Sequence, residues 1–279
     1  RQMTQVTFLN GGSRLYGIVG DPIEQVRSPE TVTWELQRRG EDALLVPLHV
    51  ASDEFEAVFP ALLRLRNLHG LVLTIPFKQR AVRYVQHLGA QASVMGAINV
   101  MARRPDGSWA AEMLDGMGCV TAFRQRGYAI AGKRLMLIGL GGAGGAIGAA
   151  MAAEHPRLMR IHDLDPARCE RMASAIRLLS PETEVVVGEP TVDGVDVLLN
   201  ASPVGMLDDA RLPLNVQALP SDLIVFDAIV KPEQTPLLAL AESCGCRIVR
   251  GREMMLGQIP RIVDFLLAQN RQGELVRAS

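Results

Sequence analysis

Lys78 stands directly behind an apolar, strand-like run, in Gly70-Leu-Val-Leu-Thr-Ile-Pro-Phe-Lys78. Its amine is either an exposed charge opening a helix or a proton donor and acceptor at the rim of the core. A second chemical signature lies in LMLIGLGGAGGAIGAAM, residues 135–151, where Gly139-x-Gly141-x-x-Gly144 follows a strand pattern and opens a helix pattern. In that setting the first glycine permits a tight turn, and the second lets the backbone approach a pyrophosphate. The third lets the helix pack close to the strand. Gly142 and Ala143 lie in the same loop as candidate cofactor contacts, and the N-terminus of the helix that follows supplies unpaired N–H groups and the positive end of its dipole. A packing turn without a ligand is the alternative. Asp163 follows nineteen residues beyond Gly144, after the next strand pattern. A carboxylate there holds the adenine-ribose hydroxyls of NAD. It also repels the 2′-phosphate of NADP: like charges about 4 Å apart cost roughly 4 kcal/mol at an effective dielectric of about 20. NAD is therefore the expected cofactor, with NADP less favoured. Leu164 follows Asp163 as a further cofactor position, and Arg168, on the helix that comes next, either softens this preference or is solvated.

Positioning these groups requires strands that end where they stand. Residues 15–19, 44–48 and 71–75 have strand patterns, separated by helix patterns over Pro29–Arg39 and Asp53–Arg66, the latter with Ser52 as N-cap. Residues 98–102 and 108–113 flank Pro105-Asp106-Gly107 and predict a hairpin. The second part predicts strands near 135–139, 158–163, 184–187, 195–200, 223–227 and 246–250, with helices near 144–155, 166–179 and 235–244. Alternation of this kind predicts a largely parallel, doubly wound sheet. A last helix over Met254–Gln269 carries Ile259, Ile262, Val263, Leu266 and Leu267 on one face, and Asp115–Tyr128 connects the two parts.

The chain's 279 residues suffice for two domains, and its 48% hydrophobic and 21% charged composition is that of a soluble globular protein. A net charge of −1 without runs of one sign points away from nucleic acid and anionic membranes. Cys119, Cys169, Cys244 and Cys246 form no disulfide framework and lack zinc-site spacing, so no metal is expected and a reducing, cytoplasmic setting fits. The N-terminal RQMTQVTFLNGGSR has no apolar core and does not read as a signal peptide. Leu135–Ala153 has no charge over nineteen residues, but six are glycines gathered where strand turns to helix, which favours a soluble strand–turn–helix over a membrane span.

Several segments fall in one order: Tyr16-Gly-Ile-Val-Gly20-Asp-Pro22, Ser28-Pro29, Thr74-Ile-Pro-Phe-Lys78, Gly96-Ala-Ile-Asn99 and Asp115-Gly116. After the glycine loop come Asn200-Ala-Ser-Pro-Val-Gly205-Met206, Thr235-Pro236, and Gly251 with Met254 and Gln258. In order and spacing the chain resembles the shikimate and quinate dehydrogenases along nearly its whole length. The resemblance implies an N-terminal α/β substrate domain (1–115), a Rossmann-like NAD(P)-binding domain (116–250), a cleft between them, and a C-terminal helix (251–279) returning to the substrate domain. It implies reversible hydride transfer between a ring secondary alcohol, such as shikimate, quinate or a related cyclic hydroxy acid, and its 3-keto form, by a monomer or homodimer. Lys78 and Asp115 take the positions that bind the substrate hydroxyls and assist proton transfer. Asn99 and Gln258 take those that hydrogen-bond the ring, unless they tie down their own loops, and Thr74 and Ser28 join the substrate set. Asn200 and Met206 border the expected nicotinamide pocket, as cofactor contacts or as backbone support, and Ser202 and Gly251 complete the cofactor set.

The chain also departs from the family. An S-x-S pair that holds the substrate carboxylate is here Val26-Arg27-Ser28, with Arg27 either a replacement donor or a solvated side chain. Val72 stands for an asparagine, Val100 for a threonine, Met113-Leu114 for N-T, and Val230 for a tyrosine. These changes make the pocket more apolar and predict a related cyclic alcohol, with shikimate a poor substrate. Two other readings stand beside this one: a non-catalytic NAD or ligand sensor on the same fold, and a tetrahydrofolate dehydrogenase-like enzyme.

Overall fold

The computed structural model describes residues 9–24 and 26–271. The signal-peptide reading falls largely on residues 1–8, outside the described residues. The chain divides into two compact units. One runs through Gly89, resumes over Gly96–Glu112 and takes the chain from Ile262 onward; the other comprises Ala90–Met95 and Met113–Arg261.

The first unit is built on strands β1 (Arg14–Gly20), β2 (Ala43–His49), β3 (Leu68–Leu73), β4 (His87–Leu88), β5 (Val100–Arg103) and β6 (Trp109–Glu112) in the order β2-β1-β3-β5-β6-β4. The first three are parallel, as their helical crossovers α1 (Ser28–Arg38) and α2 (Phe55–Leu62) require. β5 reverses direction against β3, and β6 reverses against β5. The expected hairpin turn closes on Gly107 at φ +86° and on the Asp106 carboxylate, which accepts from the Ser108 N–H at 3.0 Å. Ser52 is not the cap of α2. That helix starts at Phe55 with Glu54 as N-cap and no side-chain cap, because Ser52 is taken up elsewhere. Its N–H donates to Asp21 and its carbonyl accepts from Arg80.

The second unit holds β7 (Arg134–Ile138), β8 (Leu158–His162), β9 (Glu184–Val187), β10 (Val197–Asn200), β11 (Ile224–Asp227) and β12 (Arg247–Arg250), all parallel, ordered β12-β11-β10-β7-β8-β9. The chain leaves β7 for β8 on one side and returns to β10 on the other, so the sheet is doubly wound with its switch point beside β7. β10 and β11 are buried on both faces, and their continuous apolar runs reflect that. One face carries Phe123, Ile147 and Met172; the other carries Leu198, Leu214, Leu237 and Leu238. The helices are α3 (Ala90–Met95), α4 (Met117–Gln125), α5 (Gly142–Ala152), α6 (Pro166–Leu179) and α7 (Pro236–Ser243), while α8 (Gly251–Arg271) runs on into the first unit's stretch of chain. Three details correct the sequence reading. The stretch 115–128 carries a helix, α5 begins at Gly142, two residues before the expected start, and α8 starts three residues early and ends two residues late.

Among the described residues no helix is long and apolar enough to cross a membrane, and Leu135–Ala153 is β7, the glycine turn and α5. Among the same residues no group of three or more His, Cys, Asp or Glu side chains could hold a metal ion.

Candidate functional site

In the first unit Lys78 sits in the turn that leads from β3 into a 3-10 helix over Arg80–Tyr84, half-buried rather than in open solvent. Two anchors fix it. Phe77 is fully buried and stacks on Phe55 at 4.3 Å, and Phe55 stacks on Phe59 at 4.5 Å. On the other side the Lys78 carbonyl accepts from the Ile98 N–H at 2.9 Å. The Thr74 N–H donates to Val19 at 3.0 Å, and Thr74 O accepts from Phe77 N at 3.0 Å, closing the turn. Asn99 is buried beside it, its carbonyl accepting from Leu73 N at 2.8 Å and its N–H donating to Glu112 O at 3.1 Å. Thr74, Lys78 and Asn99 are thus gathered at the end of β3. Ser28, half-buried, opens α1, and the exposed Arg27 precedes it as N-cap residue, its carbonyl accepting from Thr31 Oγ1 at 3.1 Å. Val72 and Val100 are register partners across β3 and β5, and both are buried.

In the second unit Asp115 and Gln258 meet: Gln258 Nε2 donates to Asp115 Oδ1 at 2.8 Å. Glycines make this encounter sterically feasible. A Cβ on Gly116 would lie 2.0 Å from the Ala146 carbonyl oxygen, and one on Gly118 would lie 2.1 Å from that of Met254. Gly257 approaches the Gly118 carbonyl in the same way, at 2.8 Å. The aspartate therefore stands where α4 presses against α5, and α8 delivers the glutamine.

The glycine loop has the geometry its spacing implies. Gly139 lies at φ +86°, and a Cβ there would meet Ser202 N at 2.5 Å. A Cβ on Gly144 would meet the Gly139 carbonyl oxygen at 1.9 Å. Gly142 has open space around it, and at Gly141 only Arg168 Nη1, at 3.9 Å, comes near. Gly142 and Ala143 are exposed. The loop thus offers bare backbone at the N-terminus of an eleven-residue helix, which fits a dinucleotide's pyrophosphate. Asp163 braces this loop. Its Oδ2 accepts from Leu140 N at 2.7 Å and its Oδ1 from Asp165 N at 2.9 Å. Burial raises its pKa, but those two N–H donors and the Arg168 guanidinium outweigh burial and hold the carboxyl below the usual range. Arg168 lies 3.6 Å from Asp163 and 3.6 Å from Asp165. Leu164 is 94% exposed at the same turn.

Asn200 is fully buried at the end of β10, and both its polar atoms bond within the protein. Ser202 Oγ donates to Asn200 Oδ1 at 2.7 Å and accepts from Val204 N at 3.3 Å. Met206 is 45% exposed. Gly251 opens α8, where a Cβ would lie 2.5 Å from the carbonyl oxygens of Ala228 and Ile229. Two acids received no role from sequence. Asp165 caps α6 through Ala167 N at 2.9 Å, and Asp227 lies beside Asn200. An acid directly before Pro166, the first residue of a helix, was the available signal for Asp165.

A family model described as the shikimate dehydrogenase substrate binding domain matches residues 18–101. A shikimate dehydrogenase (NADP(+)) of Dinoroseobacter shibae is 32% identical over 247 residues, 87% of this chain and 87% of that protein. A quinate/shikimate dehydrogenase of Escherichia coli is 29% identical over 256 residues, 88% of each. The solved structure of shikimate 5-dehydrogenase from Listeria monocytogenes in complex with shikimate and NAD superposes with a TM-score of 0.86 at 25% identity, covering 96% of each chain.

Proposed function

The chain belongs to the shikimate and quinate dehydrogenase family of NAD(P)-dependent oxidoreductases, and on that premise we propose that it oxidises a ring secondary alcohol of a cyclic hydroxy acid, reversibly, with NAD preferred. The observation that carries the proposal is the glycine loop. Its close contacts leave glycine backbone and, beside it, only the small Ala143 side chain exposed at the N-terminus of α5, and an acid just after the next strand braces it.

The bound dinucleotide supplies the hydride acceptor, which is the only part of the chemistry the protein cannot perform. The alcohol must also lose its hydroxyl proton, and Lys78 Nζ takes it. The aromatic stack under Phe77 and the bond from Ile98 keep the lysine backbone from drifting as the proton moves. Asp115, held by Gln258, accepts a hydrogen bond from a substrate hydroxyl. Asn99, Thr74, Ser28 and Arg27 complete the substrate-binding set, and Gly139, Gly141, Gly142, Ala143, Gly144, Asp163, Leu164, Arg168, Asn200, Ser202, Met206 and Gly251 the cofactor set. Asn200 and Ser202 act through the backbone, since their side chains are spent within the loop.

The preference for NAD rests on charge. Asp163 and Asp165 flank Arg168 and offset its charge, while Leu164 brings none, so a 2′-phosphate meets a net acidic turn. Substrate choice shifts toward a less polar relative of shikimate or quinate because Val26, Val72, Val100 and Val230 replace hydrogen-bonding groups. Initial rates of NADH and NADPH formation with shikimate, quinate and a panel of hydroxylated cyclohexane and cyclohexene carboxylates test both points. Faster turnover of a less hydroxylated acid, with a higher kcat/KM for NAD, is expected. A higher kcat/KM for NADP would overturn the cofactor choice, and no turnover of any ring alcohol would overturn the activity.

A further inference from the structure

Asp227 ends β11 with 0% of its surface exposed, and among the described residues no ion pair with a cation reaches it. A buried carboxylate without a counter-ion is costly, so its hydrogen bonds must account for it. Oδ1 accepts from Asn200 Nδ2 at 3.2 Å and from Ile229 N at 3.1 Å, and Oδ2 accepts from Thr235 Oγ1 at 2.8 Å. Each of those donors is fixed in direction. Thr235 Oγ1 accepts from Leu238 N at 3.2 Å as the cap of α7, which leaves its hydrogen for Asp227. Asn200 turns its amide nitrogen to Asp227 and to the Val204 carbonyl, and its oxygen to Ser202 N at 3.1 Å and Ser202 Oγ at 2.7 Å. Flipping that amide would set an oxygen against a carboxylate and a nitrogen against an N–H donor.

The network reaches the glycine loop in one more step. The Gly139 turn rests on the backbone that Asn200 holds: a Cβ there would stand 2.5 Å from Ser202 N and 2.8 Å from Ala201 C. Gly144 lies over the same segment, its Cβ position 3.2 Å from Ala201 Cβ. We infer that Asp227 is a positioning residue for the dinucleotide loop, acting through the Asn200 amide on the Ala201–Ser202 backbone that sets the height of Gly139 and Gly144. It touches neither cofactor nor substrate in this role. The inference rests on the reading that the glycine loop takes the dinucleotide.

The test is NADH binding by isothermal titration calorimetry, with KM and kcat for NAD measured against the best-turned-over ring alcohol, in Thr235→Val, Thr235→Ser and Asp227→Asn. Thr235→Val keeps the shape but withdraws the donor to the carboxylate together with the cap of α7, and a bond to a charged group lost in this way weakens NADH binding about tenfold. Its KM for NAD should rise to match while kcat stays within about threefold, and Thr235→Ser should bind like wild type. Asp227→Asn should be worse, since an amide NH2 then faces donors. NADH binding in folded Thr235→Val equal to wild type, or equal losses in kcat and NADH affinity, overturns the inference. If neither Thr235→Val nor Asp227→Asn folds, the network serves the fold rather than the loop and the inference falls. Wild-type protein that binds neither NADH nor NADPH would remove the dinucleotide reading itself.

Discussion

The glycine loop after β7 and the lysine turn after β3 both lie at the end of a strand that runs parallel to a neighbour, and they are built from opposite materials. The loop is built by leaving side chains out: Gly139 and Gly144 each bring backbone within a distance no Cβ allows. The lysine turn is built by putting side chains in, with Phe77 sunk into a stack on Phe55 and Phe59 and the Lys78 carbonyl tied to Ile98. Where backbone comes that close, at Gly139 and Gly144, no substitution is conservative. A turn anchored by packing leaves neighbouring positions free to be polar or apolar.

The largest effect expected from this difference is in the loop. Gly144→Val would place a branched side chain where even a Cβ stands 1.9 Å from the Gly139 carbonyl oxygen. NADH binding measured by calorimetry should fall by about 100-fold or more, as the helix is driven off the strand. Gly142→Ala, with open space around the same loop, should stay within about threefold. Equal tolerance at both positions would break the contrast. Next in size is Lys78→Ala, which removes an amine without disturbing Phe77. It should lower kcat by about 100-fold, the range for a general acid–base group, with NADH affinity unchanged. A variant with near-normal kcat would take Lys78 out of the chemistry.

The same contrast explains what could be read in the sequence. The doubly wound sheet was legible because fully buried parallel strands carry continuous apolar runs, as in Val197–Leu199 and Ile224–Phe226. The loop was legible because close backbone approach admits only glycine. The helix over Met117–Gln125 was missed because its amphipathic pattern is interrupted by Gly116 and Gly118, placed there by its neighbours' carbonyls rather than by its own propensity. Ser52 was misread as a cap because an Asp21 carboxylate and an Arg80 guanidinium, distant in sequence, claim it first. The place of Asp227 beneath the loop depends on three donors from separate segments, and nothing local in the sequence announces that meeting.

The smallest expected effect bears on the substrate side, where Val72 and Val100 stand directly opposite one another across β3 and β5. Cross-strand partners have Cβ atoms about 4.5–5.5 Å apart on one face, so two positions that are asparagine and threonine in the resembling family have become apolar as a unit. A single restoration should then be costly: Val72→Asn buries an amide beside valine and should lose about 1–3 kcal/mol of stability. Adding Val100→Thr supplies a hydroxyl partner and should recover part of that loss, a coupling that a double-mutant cycle in urea would measure. If the pair sets substrate polarity, the double variant should also gain about tenfold in kcat/KM for shikimate, one hydrogen bond's worth. Recovered stability without that gain would mean the valines repack the sheet and leave specificity to Val26, Arg27 and Val230. The polar-to-apolar exchange at the end of β3 would then be a matter of folding alone.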